Sequence, residues 1–291
     1  MNIVHVSKTA LASSPYEIMK CLNKYTKLRV RWIAHRTSYA DGRKFPADVL
    51  WNDLAERQRL LSEADIIHVH NEVAPMMDDS IRGKQILLQL HSVPKRMITE
   101  EAKKVTSHIY TISQPLQMRV YDLPDLPNLI DPEEYTPLPK TSNRLQVVFA
   151  PTNSFSIEKP GTKARELVED ILNSLKNQID IDIFSNLNYE DNLRRKRNAD
   201  IIIDDVVNET FHRTTLEACC FGVGVINNMH NPFWIFADKN SLRAVLVSLA
   251  DNMKRVREYQ KMARQWVIKF WHPEEQAQKY VEAYEKILGK E

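Results

Sequence analysis

At 291 residues, with 43% hydrophobic and 27% charged residues, the chain has the proportions of a soluble globular protein of two ordinary domains or one large one. Its longest apolar runs are only a few residues, which excludes a transmembrane helix, and the opening Met-Asn-Ile-Val-His-Val-Ser-Lys lacks a signal peptide's long apolar region. Net charge is only +2, yet residues 1–46 hold nine Lys/Arg against two acids, a local +7 balanced by −5 over the other 245 residues. That segment is either a solvated face or a surface for an anionic partner, nucleic acid or phospholipid. Cys21, Cys219 and Cys220 are an odd count with two adjacent. They form no metal-ligand spacing and point to a reducing, cytoplasmic compartment. Six glycines are very few, so any site that normally relies on glycine loops must be built differently.

Short apolar runs alternate with amphipathic stretches along the chain. Strands are predicted at residues 3–6, 30–34, 65–70, 86–90 and 109–112, and a second set at 146–150, 181–184, 200–203 and 223–227. Helical spacing falls between them at 16–25, 49–64, 114–121, 162–178 and 189–197. Strands separated by helices argue for an α/β fold with parallel sheets covered on both faces. Residues 123–139 carry Pro124, Pro127, Pro132, Pro137 and Pro139, which marks a domain boundary. From Ser241 onward the pattern is helical, interrupted at His272-Pro273. Two α/β domains with such a hinge place a ligand cleft at the strand C-termini.

Residues 209–222 read Glu-Thr-Phe-His-Arg-Thr-Thr-Leu-Glu-Ala-Cys-Cys-Phe-Gly, with Ile201–Ile203 before them and Val223-Gly224-Val225-Ile226 after. A helix over 212–221 would hold Glu217 and leave Glu209 in the loop that feeds its N-terminus. Such an N-terminus offers unpaired N–H groups and a positive dipole end, which suits a diphosphate. On spacing alone an ordinary strand–loop–helix unit with two solvated acids fits equally well.

Here the chain resembles the GT-B nucleotide-sugar glycosyltransferases, specifically the retaining Glu-x7-Glu group (glycosyltransferase family 4-like). Glu209, Phe211, Glu217, Ala218, Gly222, Val225 and Ile226 fall in register with that motif. Further similarity lies at Ala64 to Asn71, at Leu90-His91, at Pro127-Asn-Leu-Ile-Asp131, at Ala150-Pro-Thr-Asn153 with Lys159-Pro-Gly-Thr162, and at Ala199-Asp-Ile-Ile202. The resemblance implies two Rossmann-like domains facing each other across a cleft. The acceptor domain would be residues 1–130 plus a helix at 274–291 crossing back, and the donor domain 131–273.

It also implies transfer of a sugar from a UDP- or GDP-sugar with retention of configuration and without a cofactor or metal. Glu209 would hold the donor sugar and Glu217 the ribose hydroxyls. Lys159 would neutralise the diphosphate, with Thr152, Asn153 and the N–H groups near Thr214 and Thr215 around it. His91 would sit beside the sugar. Three departures stand out: Asn153 occupies the family's arginine position, His212 its glycine position, and Ser7 to Ser14 replace a Gly-rich loop. Arg213 or Lys8 is the expected substitute cation. A sugar-nucleotide epimerase or hydrolase, or a non-catalytic sugar-nucleotide-binding subunit, is the alternative. The basic first segment leaves an anionic acceptor open, such as a hydroxymethylated DNA base or a membrane-linked glycan, and either a monomer or a homodimer suits it.

Smaller motifs read more plainly. Asp180-Ile-Asp182 lies in an alternating strand, so edge-facing acids are expected rather than a metal motif. His68-Val-His70 puts two imidazoles on one strand face, but no third ligand follows at metal-binding spacing. Arg194 to Arg197 read as cations closing a helix C-terminus. Asp204-Asp205 fits a strand-end turn and a donor contact equally. The helical stripe Ala277, Tyr280, Val281, Tyr284 and Leu288 reads as core.

Overall fold

The computed structural model describes residues 1–37, 45–71, 79–91, 96–151, 164–185 and 187–290. Thr152, Asn153 and Lys159 lie outside them. The chain divides into two compact units, Met1–Ile130 with Pro273–Glu291, and Asp131–His272.

Unit 1 is a seven-stranded parallel sheet. Its strands are β1 (Asn2–Ser7), β2 (Arg29–Ala34), β3 (Val49–Leu50), β4 (Ile66–His70), β5 (Gln85–Leu90), β6 (His108–Ile112) and β7 (Asp125–Leu126), in the order β3-β2-β1-β4-β5-β6-β7. Between them run helices α1 (Ser14–Tyr25), α2 (Leu54–Glu63), α3 (Arg96–Lys103) and α4 (Pro115–Tyr121). Strand and helix thus interleave as parallel pairing demands. One sheet face buries Val4, Val6, Ile67, Val69 and Leu88 with Leu60 and Leu61 of α2. Each such side chain contributes about 1.5–3 kcal/mol by leaving water.

Unit 2 is a five-stranded parallel sheet in the order β12-β11-β10-β8-β9. Its strands are β8 (Gln146–Phe149), β9 (Asp180–Ile183), β10 (Ile201–Ile203), β11 (Gly224–Asn227) and β12 (Ile235–Phe236). Its helices are α5 (Arg165–Ser174), α6 (Tyr189–Asn198), α7 (Arg213–Phe221), α8 (Leu242–Ala250) and α9 (Met253–Phe270). The last helix, α10 (Pro273–Ile287), belongs to unit 1, where it packs on α1. No described helix is long and apolar enough to cross a membrane.

Two differences from the sequence pattern have simple causes. The helical spacing over 49–64 splits, because Val49 pairs with Ile33 at the sheet edge and the Asp53 carboxylate accepts from Glu56 N to start α2. Helix α3 and the two-residue strands β3, β7 and β12 were not marked by periodicity, since each is too short to show a repeat. Two of the few glycines meet backbone needs. Gly222 ends α7 in the left-handed conformation (φ 64°), and a Cβ on Gly224 would stand 2.6 Å from Ile201 Cδ1 of the neighbouring strand.

Candidate functional site

The acid loop of unit 2 runs from β10 to α7. Asp204 and Asp205, at the end of β10, are fully buried and both shape the loop. Asp204 Oδ2 accepts from His212 N at 2.7 Å and from the Thr215 hydroxyl at 2.8 Å, so it ties down the first turn of α7. Asp205 Oδ1 accepts from the backbone N–H groups of Val207 and Asn208, both at 2.8 Å. Both residues thus hold the turn that leads into α7.

Beyond that turn Glu209 is exposed and takes a left-handed backbone (φ 46°), with its N–H donating to Asn228 Oδ1 at 2.8 Å. Asn227 Nδ2 holds the next residue by its carbonyl, Thr210 O, at 2.8 Å. His212, which stands where the family carries glycine, is extended (φ −118°, ψ 178°), a conformation open to any residue. The strain therefore sits at Glu209. Thr214 is half-buried in the first turn of α7, whereas Thr215 is buried with its hydroxyl on Asp204.

Glu217 lies one turn further in and is buried, its side chain 4% exposed. Lys196 Nζ of α6 donates to its Oε2 at 2.5 Å, and Arg213 Nε lies 3.3 Å from Oε1. The carboxylate thus has one cation for each oxygen, and Arg213 is turned along α7 toward it. Lys196, expected only to close a helix C-terminus, was missed as a partner. Its signal was faint, a lysine on the inner face of a helix whose arginines are exposed or half-exposed. Asp180 and Asp182 sit at half-exposed surface ion pairs with Arg144 (2.6 Å) and Arg195 (2.9 Å), as edge-facing acids.

Unit 1 carries the other expected residues. Lys8 is exposed immediately after β1. The loop that follows has no glycine, yet Leu11 (φ 43°), Ala12 (φ 54°) and Ser13 (φ 73°) all take left-handed backbone before α1. His91 follows β5, half-buried, with its N–H on Asn71 Oδ1 at 2.5 Å and its Nε2 2.8 Å from His70 Nδ1. His70 and His68 are joined by His5 of β1, a third imidazole that local spacing could not reveal because it arrives 63 positions upstream through strand pairing. Burial holds all three rings neutral: His5 is lowered to about 3, and His68 and His70 fall well below the ordinary histidine range. The thiols of Cys219 and Cys220 are buried too, and burial pushes both up, away from the reactive thiolate.

The sequence matches no protein-family model and no curated protein. Solved structures do share its fold. The catalytic domain of starch synthase IV from Arabidopsis thaliana, bound to ADP and acarbose, superposes with a TM-score of 0.64 over 99% of both chains at 11% identity. Sucrose-phosphate synthase from Thermosynechococcus elongatus gives 0.63 over 100% of both chains, also at 11% identity. A putative UDP-N-acetylglucosamine 2-epimerase from Listeria monocytogenes gives 0.53 over 100% of this chain and 97% of its own, at 11% identity. The α/β architecture, two parallel sheets with interleaved helices, is the fold of the GT-B glycosyltransferases.

Proposed function

We propose that the chain is a glycosyltransferase that moves a sugar from a nucleoside-diphosphate sugar to an acceptor hydroxyl with retention of configuration and without a metal ion. The observation that carries this reading is the Glu209 loop. An exposed carboxylate is held in a strained backbone conformation by Asn228, directly before the N-terminus of a nine-residue helix. Strain of this kind persists where the surroundings over-determine it, and such places cluster at ligand sites. The fold shared with ADP-bound starch synthase IV supports a nucleotide donor.

The diphosphate would meet the start of α7, where backbone N–H groups and the helix dipole offset the charge that builds on the leaving group. Lys159 would add the cation, with Thr152, Asn153 and Thr214 as neighbours and Lys8 as a further cation. Arg213 and Glu217 would act as one unit. The Lys196–Glu217–Arg213 ion triad holds the guanidinium at the helix's first residue, and Glu217 would reach the ribose hydroxyls only by exchanging one of its cations. Glu209 would bind the sugar hydroxyls and His91 would face the sugar.

The alternative is an epimerase or hydrolase, favoured by the likeness to the epimerase structure. Nucleotide release from a panel of UDP-, GDP- and ADP-sugars separates the readings. Release that requires an added acceptor supports transfer. Release without acceptor supports hydrolysis, and an isomerised sugar nucleotide supports epimerisation. An anionic acceptor, a modified DNA base or a membrane-linked glycan, would bind more weakly as salt rises.

A further inference from the structure

Away from the Glu209 loop, the far end of α7 borders an open cavity of about 400 Å³ lined only by unit 2. Gly222, which ends α7, lines it, and the nine-residue helix sets it roughly 13 Å from its own first turn. Four cations line the cavity: Lys140 from the segment before β8, and Arg257, Lys261 and Arg264 from α9. No carboxylate is among the described residues that line it.

The fold uses three of these cations yet neutralises only one. Arg264 donates from its two terminal nitrogens to the carbonyls of Cys220 and Pro132, the latter at 3.0 Å. Lys140 Nζ donates to the Arg197 carbonyl at 2.6 Å, at the end of α6. Carbonyls accept these protons but bring no net charge. Arg257 meets an acid, the buried Asp200, at 2.5 Å, and also bonds the Ser142 carbonyl at 2.9 Å. Lys261 is exposed and has no partner among the described residues. Four cations less one carboxylate leave +3 around one cavity. Each guanidinium has five N–H groups and each ammonium three, so all four keep donors to spare.

A solvated basic face would explain this charge only in part. Arg257, Lys261 and Arg264 follow at i, i+4 and i+7 on α9, so they share one face, where like charges repel. They stand in the middle of an 18-residue helix, before the last turn, where the dipole would favour a cation. They also surround a hollow rather than a convex surface. Lys140 is half-buried; burial and the charges of Arg257 and Arg197 push its ammonium down to about 8, against the pull of Asp200. A multivalent anion in the cavity would offset the repulsion and the burial together.

We propose that this cavity binds a small soluble anion carrying two phosphoryl groups, at a site separate from the Glu209 loop. Arg257 and Arg264 leave α9 seven residues apart, about 10 Å along the axis, which two phosphoryl groups bridge better than one. Guanidiniums pair phosphoryl oxygens two at a time, and Lys140 and Lys261 add point charges. The volume lies within the range of small-molecule sites.

Lysine acetylation of the full chain, read by mass spectrometry, tests this with inorganic pyrophosphate as the probe. At ten times its Kd, pyrophosphate should slow labelling of Lys140 and Lys261 roughly tenfold. Lys239, an exposed lysine of unit 2 outside the cavity, should label as before. In calorimetry, Lys261→Glu should weaken pyrophosphate binding about tenfold or more, the loss of one charge-assisted contact. Lys261→Arg and the control Lys239→Glu should keep it. Unchanged labelling of Lys140 and Lys261 overturns the proposal, and so does an equal loss of affinity in Lys239→Glu, the mark of non-specific attraction. Protection by phosphatidate vesicles but not by pyrophosphate would assign the cavity to a lipid headgroup and overturns it too. The donor reading is judged separately: pyrophosphate held at the start of α7 protects neither lysine and survives Lys261→Glu.

Discussion

Glu209 holds a left-handed backbone that costs a non-glycine residue about 1–2 kcal/mol, and its side chain is exposed. Asn228 and Asn227 keep it there by fixing the N–H of Glu209 and the carbonyl of Thr210. Glu209→Gly should therefore leave the protein at least as stable, with a gain of up to about 1 kcal/mol after the extra freedom of glycine in the unfolded chain. Sugar-nucleotide turnover should fall by two orders of magnitude or more in the same variant. Thermal unfolding and nucleotide release, measured side by side, check both halves. A structural role for Glu209 would instead lower stability and activity together. Asp122→Gly relieves the same kind of strain at the end of α4 in unit 1 and serves as the control that stabilises without touching turnover.

At the scale of elements, α7 depends on charges brought by its neighbours. Lys196 reaches Glu217 from α6, and both side chains are buried. Removing one member of a buried ion pair costs about 3–5 kcal/mol, so Lys196→Met should destabilise the chain by that amount in chemical denaturation, with any loss of donor affinity following from α7. A cost under about 1 kcal/mol would show that Glu217 is readily solvated. The sequence made α7 and its flanking strands legible because Ile201–Ile203 and Val225-Ile226 are apolar runs of strand length. It also made the proline-rich stretch over residues 123–139 legible, within which the two units meet in sequence at Ile130 and Asp131. It could not show Lys196 meeting Glu217 or His5 meeting His68, because both pairs are made by packing between distant elements. Nor could it show that glycine is dispensable at His212, where extended backbone removes the need, while Leu11, Ala12 and Ser13 adopt glycine-like angles without glycine.

Across the whole molecule the three neutral histidines make the two units unequal in acid. Their folded-state values lie below the ordinary histidine value of 6.5, with His5 at about 3. Below pH 6.5 the unfolded chain takes up protons that the folded chain refuses. The contribution is therefore fully present above about 6.5 and is lost as pH falls toward 3. His5 alone removes roughly 1.4 kcal/mol for each pH unit below 6.5, and His68 and His70 act in the same direction, against a typical total of 5–15 kcal/mol. Unit 1 should open between about pH 5 and 4 while unit 2 stays folded. Pulsed hydrogen exchange read by mass spectrometry resolves the two, and a joint transition would contradict the assignment to the histidines.

Calorimetric titration tests directly whether the Glu209 loop and the start of α7 form a donor site. UDP-, GDP- and ADP-sugars and the matching free diphosphates are titrated into the unsubstituted chain and into Glu209→Gln. One nucleotide sugar should bind more tightly than its free diphosphate, and Glu209→Gln should abolish this difference while keeping the diphosphate affinity. No binding of any nucleotide, or an undiminished preference for the sugar in Glu209→Gln, would contradict it.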